Sequence, residues 1–161
     1  METEWTRPNW SDWFLKLAFV TAERSTCRRH HVGTVIVRDK RLLTGGYNGA
    51  PSGMKDCLEL GCLRDAQNIP SGTRTEICRA VHSEENAIIQ AAIHGISIVG
   101  ANVYSTHTPC NRCAKMLCNV GIKSFITCGT YADTYFLDLF ENAGIFFIML
   151  PRPNLTTTVK E

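Results

Sequence analysis

Four residues in two short motifs carry side chains of the types that bind a metal ion and move protons. His82 and Glu84 have one residue between them, and Cys110 and Cys113 have two. One imidazole and two thiolates supply the three protein ligands of a catalytic zinc site, which keeps its fourth position open for water. Glu84 is then left free to take and return protons. This set of side chains predicts metal-assisted hydrolysis.

Each motif opens a stretch of sequence that favours a helix. At a helix start, both sulfurs of a C-x-x-C motif can turn toward one point, and the helix N-terminus lowers the thiol pKa. Pro109 fits near the first helical position there, and a second helical stretch runs from His82 to His94. C-x-x-C is also typical of a redox pair or a structural zinc knuckle, and H-x-E alone often arises by chance. The order of the two motifs, each followed by an apolar helix, favours catalytic zinc.

The composition is that of a globular domain with reduced thiols. The 161 residues are 44% hydrophobic, which is enough for a core. A net charge of +2 is too near neutral for a surface that coats nucleic acid. Eight cysteines would suggest disulfides in a secreted protein, but the first residues are polar and no apolar run approaches the ~18 residues of a membrane span. We therefore expect a cytoplasmic protein with no membrane or nucleic-acid partner.

The hydrophobic pattern predicts one domain, 1–161, in which strands and helices alternate. Ser11 is the expected cap of a helix that runs to about Arg24, and Asp39-Lys40 joins a hairpin of strands 32–37 and 41–45. A long irregular segment, 47–78, follows. The later elements are a helix from 82, a strand at 101–105, a helix at 110–119, a strand at 123–128, a helix at 133–142 and a strand at 145–150. This order predicts a three-layer α/β/α domain with a mixed five-stranded sheet, a core at about 11–150 and an extended tail at 151–161.

Several segments together resemble the deoxycytidylate (dCMP) deaminase family, within the cytidine/deoxycytidylate deaminase superfamily. They are, in order, Cys27–Val37, Gly46–Gly53, the helix that His82 opens, and Thr108–Lys115. The zinc motif is shared by the whole superfamily. The turn at Gly46–Gly49, with the Cys27 and Cys57 segments, narrows the resemblance to nucleotide deaminases. Ser83 departs from the family, which more often has a small apolar residue there; because Ser is nearly the size of Ala, we expect little effect.

The resemblance implies a cytidine-deaminase-like fold and hydrolysis of dCMP to dUMP and ammonia, supplying dUMP for thymidylate synthesis. His82, Cys110 and Cys113 would bind Zn²⁺. Glu84 would take a proton from water and return protons to N3 of the base and to the departing ammonia. The resemblance also implies a homo-hexamer that dCTP activates and dTTP inhibits. Glu85 is expected to be a solvated or structural charge.

The residues give less support for the predicted substrate contacts than for the predicted metal ligands. Asn48 follows the second strand near the expected start of the His82 helix, so its amide could bind sugar or phosphate; an Asn-Gly turn without a ligand is the alternative. The resemblance ties Tyr47, Asn48 and Gly49 to nucleotide binding, including that of effectors. Tyr131 could close over the base or be an ordinary core tyrosine. His107 could line the pocket, but a plain loop histidine is the favoured expectation. Candidates for holding the phosphate are Arg24, Arg28, Arg74 and Arg112.

Four further cysteines raise the question of a second, structural metal. Cys57, Cys62 and Cys78 lie in or beside the segment 47–78, and a loop of this length in a compact domain needs support. Some dCMP deaminases have a structural zinc site, and the resemblance matches Cys27 and Cys57 to its first two positions. Cys78 and then Cys62 are inferred here as the other ligands. Ordinary reduced thiols are the alternative.

Two other classes of function stay open. The same chemistry could act on cytidine, dCTP, guanine, a riboflavin precursor or tRNA adenosine, although a tRNA substrate would favour a more basic surface than a net charge of +2 provides. A non-catalytic nucleotide-binding module is the third hypothesis. The intact Glu84 argues against it, because such a module has no use for proton transfer.

Overall fold

Strands and helices alternate along residues 6–156, the part of the chain that the computed structural model describes. The strands are β1 (Gly33–Arg38), β2 (Arg41–Tyr47), β3 (Asn102–Ser105), β4 (Ser124–Thr127) and β5 (Phe146–Met149). The helices are α1 (Trp10–Ala22), α2 (Cys57–Leu60), α3 (Leu63–Ala66), α4 (Ser83–Ile93), α5 (Asn111–Asn119) and α6 (Phe136–Ala143), with a 3₁₀ turn at Thr75–Ile77. No helix in this range is long and apolar enough to cross a membrane.

The strands form one mixed sheet in the order β2-β1-β3-β4-β5. Strand β1 pairs antiparallel with both β2 and β3, whereas β3, β4 and β5 are parallel. Parallel neighbours need a crossover connection, and α5 and α6 provide the two that this sheet requires. The predicted mixed five-stranded sheet is confirmed.

Helices cover both faces of the sheet. Val35 packs with Phe14 and Leu15 of α1 on one face. Ile36, the next residue of β1, packs with Ala87 of α4 in a second cluster that also includes residues of α5 and α6. Side chains of successive strand residues point to opposite faces, so this alternation separates the two helical layers. The three-layer architecture predicted from the sequence is confirmed.

The first helix starts at a different cap from the predicted one. It begins at Trp10, and its N-cap is Asn9 rather than Ser11. The Asn9 Oδ1 accepts the backbone N–H of Asp12 at 2.9 Å, which satisfies one of the free donors of the first turn. The helix ends at Ala22, two residues earlier than predicted.

The hairpin between β1 and β2 turns at Asp39 and Lys40, as predicted. Both residues have positive φ, 51° and 60°, although neither is glycine. Two-residue hairpin loops need this left-handed backbone because it matches the twist of the paired strands.

The segment 47–78 is more ordered than its sequence indicates, since it contains α2, α3 and the 3₁₀ turn. Helices of one turn leave no hydrophobic periodicity to detect. At the other end of the chain, residues 151–156 form no helix or strand. The remainder of the predicted tail, 157–161, lies outside the described residues.

Candidate active site

The starts of α4 and α5 bring the two motifs together. His82 is the N-cap of α4 and Cys110 is the N-cap of α5, so Pro109 precedes the cap instead of occupying the first helical position. Cys113 lies in the first turn of α5. The start of α5 is held by Asp133, whose Oδ2 accepts the backbone N–H of the residue after Cys110 at 2.8 Å.

Glu85 links the two helix starts. Its Oε2 accepts the backbone N–H of His82 at 3.0 Å, and its Oε1 lies 2.6 Å from the Nε of Arg112. Glu85 is buried, while Arg112 is largely exposed. Of the two predicted roles for Glu85, the structure therefore assigns the structural one. Arg112, a predicted phosphate contact, is paired with this carboxylate.

The metal-ligating atoms fit a single zinc ion. His82 Nδ1 lies 3.4 Å from Cys110 Sγ and 3.5 Å from Cys113 Sγ, and all three ligand atoms lie within 4.8 Å of one another. In a tetrahedral site with bond lengths of ~2.3 Å to sulfur and ~2.0 Å to nitrogen, ligand nitrogen and sulfur atoms are ~3.6 Å apart. The observed separations match this geometry, and Nδ1 is the histidine atom that would bind the metal.

The surroundings of the ligand atoms also favour the deprotonated form of one of the two thiols. The hydrogen bond from the Cys113 thiol lowers the pKa of Cys110 to about 4, against the effect of burial, and His82 lowers it further. The same hydrogen bond, with burial, raises the pKa of Cys113. Burial lowers the pKa of His82, but the hydrogen bond and charge of Cys110 outweigh it, so the net shift is upward. One thiolate is thus present before metal binds, and thiolate is the form that ligates zinc.

Glu84 is the buried carboxyl group beside these ligands. It is 4% exposed, and burial raises its pKa against the opposing effects of His82 and of the Ser83 hydrogen bond. The Ser83 hydroxyl donates to Glu84 Oε2 at 3.1 Å. A carboxyl group whose pKa is moved toward neutrality can both accept and return a proton in one reaction cycle.

An open cavity of about 540 Å³, including its mouth, adjoins this centre. Glu84, His82 and Cys110 line it, as do Asn48 and Tyr131. The predicted site residues Tyr47, Gly49 and Arg24 do not line it.

Asn48 lines the cavity, but its amide is largely engaged by the protein. The Oδ1 atom accepts from the Ser25 hydroxyl at 2.6 Å and from the backbone N–H of Val32 at 2.9 Å. The Nδ2 atom donates to the carbonyl of His30 at 2.8 Å. These bonds fasten the Asn48 turn to the residues that lead into β1. A role for Tyr47, Asn48 and Gly49 in nucleotide binding stays a prediction.

Tyr131 is held next to the zinc motif. Its backbone N–H donates to Thr108 Oγ1 at 2.7 Å, and its ring makes an edge contact with His30. His107, expected to be a plain loop histidine, also lines the cavity. The structure thus favours the alternative that His107 lines the pocket, because β3 ends at this edge of the sheet and the residues after it lie at the cavity.

None of the four arginines proposed for the phosphate lines the cavity. Arg28 donates to the carbonyl of Leu58 at 2.9 Å, Arg74 is paired with Glu76, and Arg24 is exposed. The arginines that do line it are Arg29 and Arg64, which the sequence reasoning missed. Arg29 lies just before β1 in a segment already singled out, whereas Arg64 lies in the one-turn helix α3 and gave no signal.

A second group of cysteines lies close together without forming a compact ligand set: Cys27, Cys57, Cys62 and Cys78. Burial raises the pKa of Cys57, and the neighbouring thiols of Cys78, Cys27 and Cys62 raise it further. Among the described residues, however, three or more ligand atoms lie within 4.8 Å of one another only at His82, Cys110 and Cys113. The four cysteines are neighbours around Cys57, but no second metal site is preassembled.

The fold and the cluster of His82, Cys110 and Cys113 are those of a deaminase domain with a zinc-binding region. The family model described as the cytidine and deoxycytidylate deaminase zinc-binding region matches residues 8–129. The chain belongs to this family, and the family model together with the deoxycytidylate deaminases among its relatives indicates a hydrolase.

Relatives with assigned names support the same family. The chain is 39% identical over 140 residues to ComE operon protein 2 of Bacillus subtilis, covering 86% of this chain and 70% of that protein. It is 35% identical over 126 residues to the deoxycytidylate deaminase of Mycobacterium phage D29, covering 75% and 95%. With the deoxycytidylate deaminase of Schizosaccharomyces pombe the identity is also 35%, over 86% of this chain but only 43% of the yeast protein. The chain thus spans less than half the length of that relative.

A solved structure shows the same fold with nucleotides bound. The dCMP deaminase of cyanophage S-TIM5 in complex with dCMP and dUMP has a TM-score of 0.75 and 28% identity to this chain. The alignment covers 90% of this chain and all of the phage chain.

Proposed function

We propose that the protein hydrolyses dCMP to dUMP and ammonia. The observation that carries this proposal is the convergence of His82 Nδ1 and the sulfurs of Cys110 and Cys113 beside the buried Glu84, at an open cavity. The substrate is proposed from the relatives, because several are deoxycytidylate deaminases and the S-TIM5 enzyme binds dCMP and dUMP.

Each residue of the site would have a separate role in this reaction. A zinc ion held by His82, Cys110 and Cys113 would act as a Lewis acid that makes water a nucleophile near neutral pH. Glu84 would accept the proton of the attacking water and deliver protons to N3 of cytosine and to the departing ammonia. The Ser83 hydroxyl would orient the Glu84 carboxylate through its hydrogen bond. Tyr131 and His107 border the space left for the base.

A side-by-side substrate assay tests the proposal. Ammonia release by the zinc-loaded protein is measured with dCMP, dCTP, deoxycytidine, cytosine and guanine at equal concentrations. We expect the highest kcat/KM for dCMP. A higher kcat/KM for any of the other four compounds would assign the same chemistry to another substrate.

A non-catalytic nucleotide-binding module is the second candidate, although the intact Glu84 argues against it because such a module has no use for proton transfer. Such a module would bind dCMP or dUMP and release no ammonia from any substrate in the same assay.

Assembly and regulation belong to the proposal as well. We propose a homo-hexamer that dCTP activates and dTTP inhibits, as the family resemblance implies. Self-association is supported by the edge strand β5, where Phe146 and Ile148, which lie on the same face of the strand, are both exposed. Contiguous exposed apolar surface favours an interface. Light scattering of the purified protein measures the assembly, and rates at subsaturating dCMP with each nucleotide measure the regulation.

We further propose a structural zinc ion held by Cys27, Cys57, Cys78 and Cys62. Its support is the clustering of three thiols around Cys57. Metal binding would draw the sulfurs together and hold the segment 47–78, since binding free energy at such sites contributes directly to folding. All eight cysteines are free thiols, which suits the proposed cytoplasmic location.

A further inference from the structure

We infer that Arg29 and Arg64 form the subsite for the 5′-phosphate of the substrate, in the wall of the cavity that contains Glu84. The inference rests on the proposed function, because it assigns the phosphomonoester of a nucleoside monophosphate to residues of the same site.

Arg64 is a buried cation that forms no ion pair among the described residues. It is 5% exposed, and no acidic group of the described residues lies within ion-pair distance of it. Its Nη2 donates to the carbonyl of Pro70 at 3.1 Å, while its Nε is buried and has no hydrogen-bond partner among these residues. Burying an unpaired charge is costly, and a bound anion is the means of offsetting that cost.

Arg29 presents a second guanidinium group that is fixed on two sides. Its Nε lies 2.7 Å from Asp65 Oδ1 and its Nη2 donates to the carbonyl of Ile69 at 2.6 Å. The Nη1 atom is buried and unpartnered within the described part of the chain. A guanidinium group held in this way loses little conformational freedom when an oxyanion binds, and its planar fork suits phosphate.

Helix α3 positions both groups. It contains Arg64 and also Asp65, the carboxylate that orients Arg29. The segment closes on itself through the backbone N–H of Ile69, which donates to the carbonyl of Arg64 at 2.8 Å. The Asp65 side chain is 53% exposed, so its charge is screened by solvent and offsets that of Arg29 only in part.

The charges of the two arginines reach the cavity. Burial lowers the pKa of His30, a cavity residue, and the positive charges of Arg29 and Arg64 lower it further. Among the described residues that line the cavity, Glu84 is the single acidic one. A nucleotide whose base lies at Glu84 would place its phosphate toward the arginines, away from that carboxylate.

Product binding tests the subsite without requiring turnover. Dissociation constants of dUMP and deoxyuridine are measured by calorimetry for the zinc-loaded wild type, Arg29→Gln, Arg64→Lys and the control Arg28→Gln. Arg28 is adjacent in sequence but does not line the cavity. In the wild type and the control we expect dUMP to bind far more tightly than deoxyuridine. In Arg29→Gln that advantage should fall by roughly 10- to 100-fold, the effect of one charge-assisted hydrogen bond, with deoxyuridine affinity unchanged. Arg64→Lys keeps the charge and should lose less.

Three results would overturn the subsite. The first is an unchanged dUMP advantage in Arg29→Gln, which would place the phosphate elsewhere. The second is equal weakening of dUMP and deoxyuridine in that variant, which would indicate a structural role. The third is loss of zinc in both arginine variants, which would show that the two cations balance cysteine thiolates instead. Failure of the proposed function would show separately, as absence of ammonia release by a wild type that still binds dUMP through its phosphate. If Arg64→Lys fails to fold, Arg29→Gln alone decides.

Discussion

Ser83 donates a hydrogen bond of 3.1 Å to the Oε2 atom of Glu84, the buried carboxylate at the centre of the site. The same hydroxyl lies 2.8 Å from Thr34 Oγ1, which donates to Ser105 Oγ at 3.1 Å. Ser83, Thr34 and Ser105 are fully buried. The expectation that Ser83 would matter little considered size alone and omitted this connection between the sheet and the carboxylate.

Removing the Ser83 hydroxyl should slow turnover without weakening substrate binding. A hydrogen bond to a charged group is worth about 1.5 to 3 kcal/mol, so Ser83→Ala should lower kcat by roughly 10- to 100-fold. KM for dCMP should stay the same, because Ser83 orients the carboxylate and not the nucleotide. Ser97→Ala, at an exposed position, is the control. A kcat equal to that of the control would show that the hydrogen bond does not position Glu84.

Glu85 should contribute to stability because it serves both helix starts. In Glu85→Ala the backbone N–H of His82 and the guanidinium group of Arg112 both lose their partner. We expect a loss of roughly 1 to 3 kcal/mol in the free energy of unfolding, measured by denaturant titration of the zinc-loaded protein. Glu141→Ala, at an exposed position of α6, should have little effect. Equal stability of the two variants would remove Glu85 from the support of the site.

The metal-free protein should have one unusually reactive thiol. The pKa of Cys110 is lowered to about 4, so this thiol has already lost its proton at pH 6. Its alkylation by iodoacetamide should therefore be almost independent of pH between 6 and 9. Burial raises the pKa of Cys118, whose rate should increase roughly tenfold per pH unit. Mass spectrometry of the labelled peptides compares the two, and zinc should protect Cys110. A Cys110 rate that rises with pH as steeply as that of Cys118 would contradict the preformed thiolate.

The proposed second metal site can be tested by counting the zinc ions bound per chain. Purified protein should contain two zinc ions per chain, falling to one in Cys57→Ser with clear loss of thermal stability and only a secondary loss of activity. Cys118→Ser, outside both cysteine groups, should keep two. One zinc ion per wild-type chain, with Cys27, Cys57, Cys62 and Cys78 all freely titratable, would return these residues to ordinary thiols.

The sequence was most informative about the regular strands and about the motifs whose side chains can bind metal. Alternating apolar residues predicted the hairpin at Asp39 and Lys40, and the H-x-E and C-x-x-C motifs predicted which side chains meet at the metal. Predicted helix boundaries differed from the observed ones by one or two residues, because His82 and Cys110 are N-caps and not the first helical residues. A cap and a first helical residue differ mainly in backbone dihedral angles, which the amino-acid type does not reveal.

Contacts made by irregular segments were the least predictable. Helix α3 has four residues, too few to show a helical period, so nothing in the sequence indicated that Arg64 would be buried at the cavity. Asn48 was predicted to contact substrate because of its residue type and its place after β2. Its role in nucleotide binding stays a prediction, but the amide also makes hydrogen bonds to Ser25, His30 and Val32, and sequence alone cannot choose among partners so far apart along the chain.

Conversion of dCMP to dUMP by the zinc-loaded wild type and Glu84→Gln is the most direct test of the account. Glu84→Gln keeps the shape of the side chain and all three zinc ligands, so metal analysis should give the same zinc content in both proteins. Loss of proton transfer should lower kcat by roughly 10²- to 10⁴-fold or more. A wild type that converts dCMP, paired with a zinc-loaded variant that does so at least a hundredfold more slowly, is the predicted result. A variant within tenfold of the wild type would contradict the assignment of Glu84 as the group that moves protons.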